Sequence, residues 1–201
     1  MDNLLRDYVG THYEYDERGN QTKRLQNGRL SQLQWDLFDR LEAFNDDRLR
    51  VRYFYDALGR RIAKHSEAHY RKKPEAGLGW NINQHARKQR EVGCDHTLYG
   101  WDGDTLAWEN SPPLLETDTG RTVHYLYEPG TFVPVAQALR HDGIRLLKQP
   151  DYSGEYNHKT DPVWTYKPVA PKIDVLSWYH CDHLGTPQEM TVSDPYTPPT
   201  V

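Results

Sequence analysis

Four side chains that often bind metals stand together near the end of the sequence, in the run His180-Cys181-Asp182-His183. In a β-strand successive side chains point to opposite faces, so Cys181 and His183 would share one face, and His180 and Asp182 the other. Alternation therefore cannot bring all four to one ion, and a zinc site would need further ligands. No CxxC or HExxH pattern supplies them. We interpret the run as part of a strand and turn, and we expect no metal or other cofactor.

Residue types that catalyse hydrolysis are present, but not in the contexts that this chemistry needs. The serines lack the Gly-x-Ser-x-Gly context of a nucleophile elbow. Asp16, Asp36 and Asp56 could supply paired carboxylates for glycoside hydrolysis. They recur every 20 residues, however, which is the spacing of a structural repeat, and a role in turns explains them. We therefore expect no enzymatic activity.

An aromatic residue followed directly by aspartate marks the repeat, in the pairs Tyr15-Asp16, Trp35-Asp36 and Tyr55-Asp56. Aspartate suits the first position of a type I turn, where its carboxylate can accept backbone N–H groups. Gly19 and Gly59 stand three residues after their aspartates, where a left-handed residue closes such a turn, and Asp39 takes this place in the middle repeat. The pairs therefore predict a turn at the same point of every repeat.

Further turn signals fall between these pairs, at Asn27-Gly28 and Asn45-Asp46, so turns recur about every ten residues. Each repeat then contains two strands. We predict an all-β fold of antiparallel hairpins in a curved open sheet, with at most one short helix near 82–92. Asn81 would cap that helix and Gly93 would end it.

Composition narrows the functional classes. The chain has 201 residues, which suits one ordinary domain or a piece of a larger protein, and its net charge is −4 at pH 7. The basic stretch 71–90 contains Trp80 as its one aromatic residue, so we favour a solvated insertion over a nucleic-acid site. No apolar run approaches the ~18 residues of a membrane span. The first residues also lack the order of a signal peptide.

The pattern divides the chain into four segments. Hairpin repeats occupy 1–65, a polar and basic insertion 66–96, further strands 97–192 and a proline-rich tail 193–201. The third segment contains another aromatic–aspartate turn, Trp101-Asp102-Gly103. It also contains a strand that runs into a turn, made of Tyr179, His180, Cys181, Asp182, His183, Leu184, Gly185, Thr186 and Pro187.

Taken together, these pieces resemble the Rhs (rearrangement hotspot) family, whose tandem YD repeats also occur in teneurins and insecticidal toxin complexes. The matching pieces are 15–20, 55–61, 99–104, 127–130 and 179–187, an ordered set spread over nearly the whole chain. The resemblance implies a part, close to the C-terminal end, of a long β-sheet that spirals into a hollow shell around a toxic C-terminal segment. Such proteins commonly travel on the spike of a bacterial type VI secretion machine and serve competition between bacteria.

The resemblance also implies partners and a location. The partners would be the remaining strands of the shell, an encapsulated toxin and a type VI spike protein. The protein would lie in the cytoplasm of the producing cell until a contact-dependent machine exports it. The family's self-cleavage segment is not matched, because Asp194-Pro195 is followed by Tyr196-Thr197-Pro198. We therefore assign Asp194 no cleavage role, and we expect a truncated shell piece that is functionally silent by itself.

Two further expectations concern surfaces. The chain has 14 tyrosines and six tryptophans, and exposed rows of such rings could instead stack against sugars, as in a carbohydrate-binding module. The repeat does not distinguish this alternative from packing within a shell. In addition, an open meander leaves unpaired backbone groups along its first and last strands. We therefore expect the chain to associate with itself edge to edge.

Overall fold

The computed structural model describes residues 4–112, 120–144, 152–167, 169 and 172–193. The chain divides into two compact units, Met1–Gly100 and Trp101–Val201. Nearly all regular structure in both units is antiparallel β-strand. This confirms the predicted all-β fold of antiparallel hairpins. No helix among the described residues is long and apolar enough to cross a membrane.

Unit 1 is a meander in which each strand pairs antiparallel with the next. Its strands are β1 (Asp7–Tyr8), β2 (Thr11–Tyr15), β3 (Gln21–Gln26), β4 (Arg29–Trp35), β5 (Leu41–Asn45), β6 (Leu49–Tyr55), β7 (Arg61–Ala68) and β8 (His96–Asp102), which ends just beyond the unit boundary. The register shifts by one residue beside Tyr15, Trp35 and Tyr55, at the same point of each repeat. The predicted two strands per 20-residue repeat are therefore present, and the Asn27-Gly28 turn joins β3 to β4.

One face of this sheet carries small side chains at the repeat spacing. Thr11, Ser31 and Val51 are buried at equivalent positions of β2, β4 and β6. Because side chains alternate along a strand, the residues two and four positions later share this face, and all of them except Leu33 are aromatic. Those rings are half-buried, so the face holds a thin core of small residues bordered by aromatic ones.

The insertion between β7 and β8 contains a short 3-10 helix, Pro74–Ala76, followed by α1, Leu78–Val92. Helix α1 begins four residues earlier than the predicted range 82–92. Gly77, with φ of +80°, precedes it, so the prediction that Asn81 caps the helix is wrong. The Asn81 side chain instead bonds to backbone groups of the preceding loop. Gly93 ends the helix in the left-handed conformation, as predicted.

Unit 2 continues the same architecture. Its strands are β9 (Thr105–Ser111), β10 (Arg121–Tyr127), β11 (Pro134–Arg140), β12 (Val175–Cys181) and β13 (Pro187–Val192), and a single helical turn, α2 (Pro162–Thr165), precedes β12. Each of these strands is antiparallel to the next. Asn110 and Thr122 are the largest fully buried described side chains, so this core is partly polar.

The sheet is open at both of its outer strands. Among the described residues, β1 pairs only with β2, and β13 pairs only with β12. All six residues of β13 are exposed. Edge-to-edge association at these strands stays a prediction, as does the curvature of the sheet. Apart from Ser193, the predicted proline-rich tail 193–201 lies outside the described residues.

Candidate functional site

The three aspartates of the repeat organise three nearly identical turns. In the middle turn, Oδ1 of Asp36 accepts the backbone N–H groups of Phe38 at 2.8 Å and Arg40 at 3.0 Å. Its Oδ2 accepts Nε of Arg40 at 2.7 Å. The Asp39 N–H donates to the carbonyl oxygen of Asp36 at 3.2 Å. Both carboxylate oxygens of Asp36 are thus used inside the turn.

The turns at Asp16 and Asp56 repeat these bonds. Oδ1 of Asp56 accepts the N–H groups of Leu58 and Arg60, both at 2.9 Å, and Oδ2 accepts Nε of Arg60 at 2.7 Å. At Asp16 the side chain of Asn20 replaces the arginine, at 3.2 Å. The residues expected to be left-handed have φ of +90° at Gly19, +59° at Asp39 and +83° at Gly59.

Arginine side chains join each turn to the next one. Arg18 donates to the carbonyl oxygens of Asp36 at 2.9 Å and Leu37 at 3.1 Å, and it pairs with the Asp39 carboxylate at 3.0 Å. In the same way, Arg40 donates to the carbonyl oxygen of Asp56 at 3.4 Å. We call this series of linked turns, Asp16–Asn20, Asp36–Arg40 and Asp56–Arg60, the turn ladder. Sequence reasoning missed these links, although the recurrent arginines beside the turns were a visible signal.

The aromatic member of each repeat pair bonds to a backbone carbonyl group earlier in the chain. Hydroxyl groups of Tyr15 and Tyr55 donate to the carbonyl oxygens of Leu5 and Leu41, each at 2.8 Å. Nε1 of Trp35 donates to the carbonyl oxygen of Gln21, also at 2.8 Å. Because their polar atoms are already bonded and their rings are half-buried, these contacts give no support to a sugar-binding row.

Hydrogen bonding keeps the ladder carboxylates ionised. Desolvation opposes the charged form of Asp36, but the backbone and side-chain N–H groups of Arg40 outweigh it, so the pKa of Asp36 lies below its usual value. The pKa values of Asp16 and Asp56 are lowered in the same way, against the same desolvation. The ladder is therefore built from charge-assisted hydrogen bonds, which are stronger than those between neutral groups.

We expect the variant Asp36→Asn to melt at a lower temperature than the parent protein at pH 7. In acid the two melting temperatures should become similar. A carboxyl whose pKa is lower in the folded state stabilises the fold above its unfolded pKa of about 4, and this stability is lost as pH falls through the folded pKa. Thermal unfolding from pH 7 to pH 2.5 measures the difference. Glu17→Gln, an exposed change in the neighbouring turn, is the control. A constant difference at all pH values would contradict the prediction.

Trp101, Asp102 and Gly103 lie at the end of β8 and in the turn to β9. Gly103 has φ of +56°. Asp102 contributes its carbonyl oxygen, which accepts the hydroxyl of Thr105 at 2.8 Å. The Asp102 side chain is exposed, whereas the ladder aspartates are half-buried.

The segment 179–187 forms another turn of the ladder type, although Cys181 and not an aromatic residue precedes its aspartate. Oδ1 of Asp182 accepts the N–H groups of Leu184 and Thr186, both at 2.9 Å, and Oδ2 accepts the Gln188 side chain at 3.1 Å. The backbone bonds of Thr186 and then Leu184 lower the pKa of Asp182. Pro187 begins β13 opposite Cys181.

The four potential metal ligands separate. His180 bonds to the hydroxyl of Thr191 at 2.9 Å, and the thiol of Cys181 donates to the carbonyl oxygen of Pro134 at 3.3 Å. His183 is exposed at the tip of the turn, next to Leu184. Tyr179 donates to the Gln137 side chain at 2.8 Å. Within the described part of the chain, no three His, Cys, Asp or Glu side chains are grouped to hold a metal ion.

Gly185 closes this turn and also lies against Val133, the residue directly before β11. Its φ is +81°, and a Cβ at this position would stand 2.5 Å from Cγ2 of Val133. The turn pattern predicts a left-handed residue here, but nothing in the sequence indicates the approach of Val133, which is 52 positions earlier in the chain.

The chain is similar in sequence to part of a known toxin protein. No protein-family model matches it. It is 30% identical over 198 residues to the toxin protein Tse5 of Pseudomonas aeruginosa, an alignment that covers 94% of this chain and 13% of that protein. The chain thus spans about an eighth of the length of this curated relative. It is therefore similar, over nearly its full length, to one short part of a toxin protein.

Proposed function

We propose that the chain is a structural segment of an Rhs-type β-shell that encloses and delivers a C-terminal toxin in competition between bacteria. The observation that carries the proposal is the turn ladder. Its carboxylates, arginines and aromatic rings connect each 20-residue repeat to the next through hydrogen bonds. An arrangement of this kind extends a sheet by adding repeats, which is what a shell requires. Similarity to a toxin protein supports the same reading.

We further propose that the segment is not catalytic by itself. The conspicuous carboxylates of the repeat are occupied in turns. Burial raises the pKa of the Cys94 thiol, against a hydrogen bond from Ser66, so the thiol stays protonated at neutral pH and is a poor nucleophile. These environments suit packing rather than chemistry.

The partners that fit this proposal are the other strands of the shell and the toxin within it. Strands β1 and β13 offer backbone groups for antiparallel pairing at their outer sides. Export on a type VI spike would follow if the whole protein is delivered by direct contact between cells. Before export the protein would reside in the cytoplasm of the producing cell.

A chimera tests the structural role. The matching region of the Pseudomonas toxin protein is replaced by this chain, and the chimera should stay soluble, resist limited proteolysis like the parent and keep its toxicity. A second chimera that carries Asp36→Ala and Asp56→Ala should lose protease resistance, because two turns of the ladder lose their carboxylates. A third with Glu17→Gln is the matched control.

The chain alone tests the absence of catalysis. Purified protein should neither cleave itself nor degrade DNA, RNA or NAD. Growth arrest on expression in bacteria, abolished by a point substitution that leaves the fold intact, would contradict the proposal.

A further inference from the structure

An open groove of about 540 Å³ lies in unit 2 at the end of β10. Three carboxylates line it, from Asp102, Asp104 and Glu128. Three aromatic rings line it as well, from Tyr125, Tyr127 and Phe132, and the Phe132 side chain is 71% exposed. None of the described lining residues is a lysine or an arginine. We call this feature the aromatic groove.

The wall of the groove after β10 is held in one conformation. The Glu128 N–H donates to the carbonyl oxygen of Val133 at 2.9 Å, and the Thr131 N–H donates to that of Glu128 at 3.0 Å. The Thr131 hydroxyl donates to the Glu128 carbonyl oxygen at 3.0 Å and accepts the Val133 N–H at 3.1 Å. Four hydrogen bonds thus support this wall of the groove.

In unit 1, a similar combination of a carboxylate and aromatic rings surrounds an arginine side chain. There, the guanidinium of Arg40 pairs with the Asp36 carboxylate at 2.7 Å. The same group lies 4.9 Å from the centre of the Phe38 ring and 5.0 Å from that of Tyr55. An aspartate turn and two aromatic rings thus enclose one arginine side chain, which gains both an ion pair and cation–π contacts.

The aromatic groove offers the same chemistry without an arginine of its own. The turn after Tyr127 starts with Glu128, as the turn after Tyr55 starts with Asp56. However, Thr131 and Phe132 stand where the ladder turn has Gly59 and Arg60. Among the described residues, no ion pair within 4.0 Å joins the three groove carboxylates to a basic side chain.

The charge of the groove is negative at neutral pH. Burial, and then the nearby Glu109 carboxylate, raise the pKa of Tyr125 to about 12 and also raise that of Tyr127. Both phenols therefore stay neutral, and the carboxylates set the charge. A cation is the complementary ligand.

We propose that the aromatic groove binds the arginine side chain of a partner polypeptide, between the rings of Tyr127 and Phe132 and the carboxylates of Asp104 and Glu128. Arginine fits better than lysine, because its planar guanidinium stacks on rings while its edge pairs with a carboxylate. This inference concerns recognition at one groove and does not depend on the proposed shell.

Binding is measured on the full chain by NMR, with the phenylalanine and tyrosine rings isotopically labelled. The probes are acetyl-Gly-Arg-Gly-amide and its lysine and citrulline counterparts. The arginine peptide should shift the Phe132 and Tyr127 resonances saturably, in the millimolar range expected for one side chain. The lysine peptide should bind about fivefold more weakly, and the uncharged citrulline peptide should not bind. Equal binding of the arginine and citrulline peptides would overturn the proposal.

Matched variants locate the site. Asp104→Asn with Glu128→Gln should weaken binding of the arginine peptide about tenfold, because both charge-assisted contacts are lost. Phe132→Leu, which keeps the carboxylates, should also weaken it by removing the stacking ring. Glu155→Gln, an exposed change elsewhere in unit 2, should leave it unchanged. Unaltered affinity in both groove variants would overturn the proposal. If the chain associates with itself and added arginine amide reverses that association, the arginine comes from a second copy of this chain. That result would overturn the proposal of a different partner polypeptide.

Discussion

Replacing Gly185 by alanine is expected to lower the free energy of unfolding by about 3 kcal/mol, from two separate costs. A left-handed residue with a Cβ is disfavoured by roughly 1–2 kcal/mol, and φ at Gly185 is +81°. In addition, the new Cβ would stand 2.5 Å from Cγ2 of Val133, so Val133 or the turn must move. Overpacking of this kind typically costs about 1–3 kcal/mol. Denaturant unfolding of the purified variant measures the sum.

A matched glycine separates the two costs. Gly130 has a similar φ of +74°, but a Cβ there would meet nothing within 4 Å. Gly130→Ala should therefore lose only the conformational part, about 1–2 kcal/mol. Gly185→Ala should cost less stability when Val133 is also changed to alanine, because the smaller side chain relieves the clash. The comparison is between the double variant and Val133→Ala alone. Equal losses for the two single glycine variants would show that the approach of Val133 costs nothing.

Asn81→Ala is the second change for which we expect a large loss, of about 3 kcal/mol. The Asn81 side chain is buried and makes four hydrogen bonds. Its Oδ1 accepts the Tyr70 hydroxyl at 2.9 Å and the Lys73 N–H at 2.8 Å. Its Nδ2 donates to the carbonyl oxygens of Lys73 and Gly77, both at 2.7 Å. Alanine would leave several of these buried groups without partners. Thermal unfolding, with hydrogen exchange at Lys73, measures the effect.

The neighbouring Asn83 provides the control on the same helix. Its side chain is exposed, and alanine has the higher helix propensity, so Asn83→Ala should be neutral or slightly stabilising. Asn81→Asp keeps the acceptor but turns an oxygen toward two carbonyl oxygens, so it should also destabilise. If Asn81→Ala behaves like Asn83→Ala, the side-chain bonds do not hold the insertion to α1.

The architecture could be predicted from the sequence because its determinants are local. Aspartate at the start of a turn, an aromatic residue directly before it and a left-handed residue three positions after it each act within a few residues of the chain. Their recurrence every 20 residues predicted the hairpins of unit 1, and the same local chemistry recurs at Asp182. Gly93 was predictable as the end of α1 for the same reason, since a left-handed glycine ends a helix wherever the chain goes next.

The role of Asn81 was not predictable in this way. Asparagine is a common helix cap, and the local pattern favoured that reading. The tertiary structure instead begins α1 at Leu78 and surrounds the amide with two carbonyl oxygens, a backbone N–H and the Tyr70 hydroxyl. A side chain that can donate and accept takes whichever partners packing brings to it, so its sequence neighbours alone do not decide its role.

The sequence by itself thus determined the all-β fold, the repeat and the turns, because each depends on backbone conformations that neighbouring residues impose. Only the tertiary structure decided which arginine reaches which turn, that Val133 lies against Gly185, and that carboxylates and rings meet in the aromatic groove. These contacts join residues that the register of the strands and the paths of the loops bring together. Their energies depend on distances of a few ångströms, which spacing along the chain does not specify.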